Sequence, residues 1–225
     1  GATPRTLSAW VKFDNLSGYQ WVAVWGAGST RNCFGFYADD ADLEFATYAD
    51  DGTVSSFGSA GVWHHIVMTY DGVTTVKGYV NGALKLTKTV SSALNTTDTV
   101  LSVGTRTWAL GSEELEGSVA NVGIWNRELS ASEIESIMYR GNYLELQDTE
   151  LTNLVSWYDL QSSGISSTDF ITNGTMELDA NWSNSGSPQV NERSTEQVYS
   201  GTYSRKITYA SSGWAGITQA TGVQF

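Results

Sequence analysis

The stretch "GVWHHIVMTYDGVTTVKGYVNGAL", Gly61–Leu84, decides how this chain folds. "HHIVMTYD" and "VKGYVNG" are short runs rich in β-branched and aromatic residues, which suit a pleated surface. Asp71-Gly72 and Asn81-Gly82 punctuate them. Asn-Gly between two such runs predicts a tight hairpin, because both residues tolerate the left-handed backbone the turn needs.

The same pattern extends in both directions. Upstream, "TLSAWVKF" alternates Leu7, Ala9, Val11 and Phe13 against Ser8, Trp10 and Lys12. "QWVAVWG", "CFGFYA" and "LEFATYA" continue it; "ALKLTKTV" and "TVLSVG" follow downstream. Many short strands at regular spacing predict an all-β, antiparallel β-sandwich. One short helix is predicted in "LSASEIESIMYRGN". Ser130 and Glu133 have capping-box spacing, Ile134, Ile137 and Met138 make one apolar face, and Gly141 marks the stop. "NLVSWYDLQ" reads as one more strand. Around "QSSGISSTD" the composition turns to Ser and Gly, placing a boundary near residues 160–168. The expected organisation is a β-sandwich over 1–162 and a partial β-rich module over 163–225. The chain starts without Met and stops in a β-rich stretch, so it is expected to be a piece of something longer.

Bulk properties narrow the function. Twelve basic residues against 24 acidic ones give a net charge of −12. That disfavours nucleic acid, whose phosphates need a basic footprint, and it disfavours anionic membranes. Cys33 is the only cysteine, so no internal disulfide forms, and no Cys/His cluster suggests zinc. No apolar run approaches the roughly 20 residues of a membrane span. Nine Trp, eleven Tyr and seven Phe can furnish either a core or a surface for stacking sugars.

Several pieces carry a family resemblance. They are Trp10-Val11-Lys12, Trp63-His64-His65 leading to Thr69-Tyr70-Asp71-Gly72, Tyr79-Val80-Asn81-Gly82, Gly117, and "IWNRELSASEI", Ile124–Ile134. In order and spacing they resemble the laminin-G-like (concanavalin A-like, pentraxin-like) sandwich family. The resemblance implies a jelly-roll sandwich; it does not imply a site, since sites are grafted on folds. The tail resembles the start of a jelly-roll carbohydrate-binding module, in Asn173-Gly174, Met176-Glu177, Trp182 and "VYSGTYSRKI", Val198–Ile207. That resemblance makes Glu177 a candidate calcium ligand. In the laminin-G-like pattern the residue at a common calcium-ligating Asp position is Ala120 here, which removes that ligand.

Candidate sites follow. In "DDADLEF", Asp39–Phe45, three carboxylates stand two apart, a spacing that aligns them on one strand face. Paired carboxylates on a face are how glycosidases arrange acid and nucleophile. The family register instead makes this a hairpin: strand Phe34–Ala38, turn Asp39–Asp42, strand Leu43–Thr47. Asp39, Asp40 and Asp42 are then turn residues, with a calcium-binding loop as the other reading. Trp21 and Trp25 are expected on one face with Ala23, and Val22 and Val24 on the other. Of His64 and His65, one is expected packed and the other exposed. In the loop "TRTWALGSEELEG", Trp108 with Arg106, Glu113 and Glu114 is the candidate ligand-binding set. An aromatic ring beside planar polar groups suits a sugar's CH face and hydroxyls, although Trp108 folded back on the sandwich is the plainer reading.

The expected function is a non-catalytic glycan or cell-surface binding module in a larger secreted or virion protein, such as a phage fibre or decoration protein. The alternatives are an assembly domain making protein–protein contacts, or an accessory region of a glycoside hydrolase. The expected location is extracellular or on a virion surface.

Overall fold

The computed structural model of the protein describes residues 2–97, 100–106, 108, 113–159, 183–186, 190–194, 204–208 and 215–220. The first strands are β1 (Arg5–Phe13), β2 (Tyr19–Gly26), β3 (Cys33–Asp39), β4 (Asp42–Ala46) and β5 (Gly52–Val54). Then come β6 (Trp63–Tyr70), β7 (Thr75–Val80), β8 (Ala83–Thr89), β9 (Val100–Val103) and β10 (Gly117–Trp125). After helices α1 (Ala131–Ile137) and α2 (Asp148–Leu151) come β11 (Leu154–Tyr158), β12 (Ser183–Gly186), β13 (Val190–Ser194), β14 (Ser204–Thr208) and β15 (Ala215–Ala220).

Two antiparallel sheets result. The first runs β13-β14-β10-β1-β6-β7-β8, and the second β12-β15-β9-β2-β3-β4-β5. β10 shares one edge between two partners: β14 pairs Gly117–Val119, and β11 pairs the half toward Trp125. The strands beyond residue 182 thus extend both sheets of the sandwich, β14 on β10 and β15 on β9. Residues 160–182, which hold the expected boundary and Glu177, lie outside the described residues.

The alternation in the sequence builds the core. Leu7, Val11, Phe13, Ile66 and Met68 from the first sheet meet Val22, Phe34, Phe36 and Phe45 from the second, all fully buried. Each such side chain contributes about 1.5–3 kcal/mol through the apolar surface it removes from water. The Asn-Gly hairpin forms as expected: Val80 pairs with Ala83, and Asn81 and Gly82 both take positive φ, 50° and 77°. The Asp71-Gly72 turn is closed by the Asp71 carboxylate, which accepts from the backbone N–H groups of Val73, Thr74 and Thr75.

The first sheet's outer face is covered. Val67, Tyr79, Trp125 and Trp157 pack beneath Leu129, Ile134, Ile137 and Leu146, from α1 and its flanking segments. The capping box forms, with Glu133 accepting from the Ser130 backbone and Ser130 Oγ accepting from the Glu133 backbone. Arg127 grips both Glu133 oxygens at 2.9 and 2.7 Å, and this bonding lowers the Glu133 pKa to about 2. Both histidines of the pair are buried, against the expectation that one is exposed. His64 packs inward under Phe57 and accepts or donates at Ser59; His65 bonds Ser8 Oγ at 2.8 Å and lies by Trp10. Burial holds the His65 pKa far down, at about 3, so it is neutral in ordinary conditions.

Candidate functional site

The second sheet's outer face is organised by a kink in β2. The pairing with β3 slips between Trp21 and Ala23. One extra residue in a strand reverses the parity of side chains beyond it. Trp21 and Val24 therefore face outward, while Val22, Ala23 and Trp25 face the core. This corrects the expectation of Trp21 and Trp25 on one face, which strict alternation had implied.

Register then lines up a row across four strands. Trp21 pairs with Tyr37, Tyr37 with Glu44, and Glu44 with Thr53. The Trp21 and Tyr37 rings lie 4.4 Å apart with 31° between planes, and Tyr19 extends the aromatic surface at 5.8 Å from Tyr37. Beside the row, Val24, Cys33 and Ala46 form a small-residue floor, and Trp108 packs on it. Trp108 meets Trp21 edge-on at 5.7 Å and Tyr48 at 6.4 Å, and it lies directly over Gly28. So Trp108 does fold back onto the sheet, and in doing so joins an aromatic cluster.

Glu113 ties the loop to that cluster. It accepts from Trp21 Nε1 at 2.9 Å and from Arg106 at 2.5 Å, and its backbone carbonyl accepts from the Trp21 N–H. The Arg106 guanidinium stands 5.7 Å from the Trp21 ring centre, within cation–π range. Arg106, Trp108 and Glu113 are thus brought together. Glu114 is 3% exposed, so its carboxylate is out of reach of a ligand.

The acidic hairpin falls at the far end of the same face. β4 begins at Asp42, one residue before the expected start, so Asp42 and Glu44 do share the outer face. Asp40 takes φ 52° at the turn, and its carboxylate accepts from Gly18 N–H at 2.7 Å. Asp42 accepts from Ser56 N–H and Ser55 Oγ, and Asp39 pairs across from it. The turn aspartates are thus drawn to separate neighbours. Among the described residues, no group of three or more His, Cys, Asp or Glu is placed to hold a metal ion.

Residues missed at the sequence level complete the face. Asp51 braces the loop after β4, accepting from the N–H groups of Thr47 and Tyr48. A shallow depression of about 290 Å³ opens beside Tyr48, Ala49 and Asp51. Burial, then Asp51, Glu44 and Asp39, push the Tyr37 phenol pKa up. Burial leads in raising the Glu44 pKa as well, with Asp51, Asp39 and Asp42 adding to it. Tyr37 carried a signal: it has the parity opposite to Phe34 and Phe36 in "CFGFYA", so it leaves the core.

The sequence profile of the concanavalin A-like lectin/glucanases superfamily, laminin-G type, matches residues 2–135. The chain belongs to this superfamily. No curated protein matches its sequence. Among solved structures, the fold is similar to that of a candidate carbohydrate-binding protein from Bacteroides ovatus. The TM-score is 0.55 at 14% identity, covering 97% of this chain and 54% of that one. Domain 4 of AbnA, an extracellular arabinanase from Geobacillus stearothermophilus solved with arabinotriose, has TM-score 0.49 and 19% identity, covering 60% of this chain and 66% of that one. A Ruminococcus gnavus sialidase domain bound to α2,3-sialyllactose has TM-score 0.47 and 16% identity, covering 60% and 83%. The chain therefore spans about two thirds and about half of the arabinanase and Bacteroides chains. No helix among the described residues is long and apolar enough to cross a membrane.

Proposed function

We propose that the chain is a non-catalytic carbohydrate-binding module of a larger secreted or virion-surface protein. The glycan lies on the outer face of the second sheet, along the partly exposed Tyr37 and Trp108, which the buried Trp21 braces from beneath. The observation that carries this reading is the pair of partly exposed rings, Tyr37 and Trp108, held 4.4 and 5.7 Å from the buried Trp21 on a face that no helix among the described residues covers. Sugar rings present CH faces that pack on aromatic planes, while hydroxyls seek planar polar partners such as Arg106 and Glu113. Superfamily membership supports the reading, since lectins share this sandwich. Asp42, the carboxylate two residues from Glu44, is held by Ser56 and Ser55 rather than poised opposite a scissile bond, which supports binding over cleavage.

A glycan array followed by calorimetry on the retained sugars tests it. Tyr37→Ala and Trp108→Ala each lower affinity at least tenfold, and the bound oligosaccharide is recovered uncleaved. Retention of the same glycans with undiminished affinity by both variants would overturn the proposal.

A further inference from the structure

The charge around the aromatic row is one-sided. No Lys or Arg occurs between Arg31 and Lys77, a span that supplies β3, β4, β5 and β6 and holds seven Asp or Glu residues. The outward positions of β2 to β5 include Asp39, Asp42 and Glu44, and no cation. The one guanidinium at the aromatic cluster, on Arg106, is neutralised by Glu113. Glu44 stands directly across from Tyr37, one strand spacing of about 4.8 Å away. Asp51 acts electrostatically on Tyr37, Glu44 and Cys33 together, which places its charge over the same patch. No ion pair among the described residues involves Asp39, Asp42, Glu44 or Asp51.

A sugar stacked on Tyr37 therefore sets its substituents within a few ångströms of carboxylates that no cation pairs among the described residues. That is inside the Debye length of about 8 Å at physiological salt, so screening does not remove the interaction. Like charges in such proximity repel, and the chain's net charge of −12 adds a long-range field of the same sign.

We infer that this face selects glycans by charge: it takes uncharged or amine-bearing sugars and turns away those carrying carboxylates, with Glu44, Asp39 and Asp51 setting the selection. The inference rests on the aromatic row being the glycan site. It goes further by naming the ligand class and residues that make no stacking contact. Negative selection of this kind is built from repulsion against the wrong partner as much as attraction to the right one.

The test uses an array of matched oligosaccharide sets. Each set holds a neutral glycan, its sialylated or uronate counterpart, and its counterpart with glucosamine in place of N-acetylglucosamine. The native protein retains the neutral and glucosamine forms and binds the carboxylated forms at least tenfold more weakly. In the Glu44→Gln, Asp39→Asn double variant the ratio of carboxylated to neutral affinity rises severalfold. In the native protein the gap also narrows between 20 and 500 mM salt, which a purely steric preference would not do. Equal or tighter binding of carboxylated forms, or a ratio indifferent to both the variant and salt, overturns the inference. If Tyr37→Ala still abolishes binding in that case, the glycan site itself stands. If Tyr37→Ala has no effect, or no glycan of any kind is retained, both readings fall.

Discussion

The two outer faces of the sandwich carry similar letters and put them to different uses. On the first sheet, Trp125 and Trp157 meet edge-on at 5.9 Å beneath α1 and the segments around it, 0% and 7% exposed. Trp125 Nε1 donates to the Glu150 carbonyl at 2.6 Å, so even its polar atom is used within the fold. On the second sheet Trp21 is 3% exposed too, sealed by Tyr37 and Trp108, but those two rings are themselves partly exposed, with no helix among the described residues above them. A paired aromatic on a sheet's outside is thus not informative alone. What lies over it decides whether it stabilises the fold or remains available to a ligand.

The largest effect expected from this difference is on stability. Trp125→Ala empties a fully enclosed site and strands the Glu150 carbonyl, costing about 3–5 kcal/mol by urea denaturation. A loss as small as that of an exposed residue would mean the covering segments do not seal that face.

Next is the acid response of the covered face. The folded-state pKa of Glu133 lies below its ordinary value of 4.5, so its bonds to Arg127 stabilise the fold fully above pH 4.5. That contribution disappears as pH falls from about 4.5 to about 2. Glu133→Gln lowers stability at pH 7 by about 1–3 kcal/mol and flattens the pH dependence of the melting temperature across that window. An unchanged slope would detach the capping box from the cover's stability.

Tyr37→Ala reverses the pattern: about 1 kcal/mol in stability, with the loss falling mainly on glycan affinity. A melting temperature drop as large as that of Trp125→Ala would place the open face in the same structural role as the covered one.

The smallest and most local change is Gly28→Ala. Its backbone angle suits alanine, but a Cβ there would sit 2.1 Å from Trp108 Cδ1, so the indole must move off the sheet. Stability changes by less than about 1 kcal/mol, while tryptophan emission shifts to the red; the shift is absent in a Trp108→Phe background. Unaltered emission would show that the ring does not rest on Gly28.

The sandwich was legible because its signals were local. Asn81-Gly82 specifies its turn through backbone preference alone, and Ser130 with Glu133 specifies a helix start through complementary hydrogen bonds across one turn. Alternation assigned Leu7, Val11 and Phe13 inward without any knowledge of neighbours. The candidate site was legible in part. Arg106, Trp108 and Glu113 come together because they share one loop. Trp21, Tyr37 and Glu44 lie on three strands, and only register puts them in a row. The burial of His65 likewise depends on elements distant in sequence, as Ser8 stands 57 residues away from it.

The slip between Trp21 and Ala23 has a wider consequence. It acts as a phase shift, so β2 is written in one parity up to Trp21 and in the other from Ala23 onward. Trp25 can stay locked among Phe34 and the buried Arg5 while Trp21 faces out, although four residues apart they would ordinarily share a fate. Interior and exterior thereby become separately editable along a single strand. The outer layer at one end of β2 can change without disturbing the packing that holds the other.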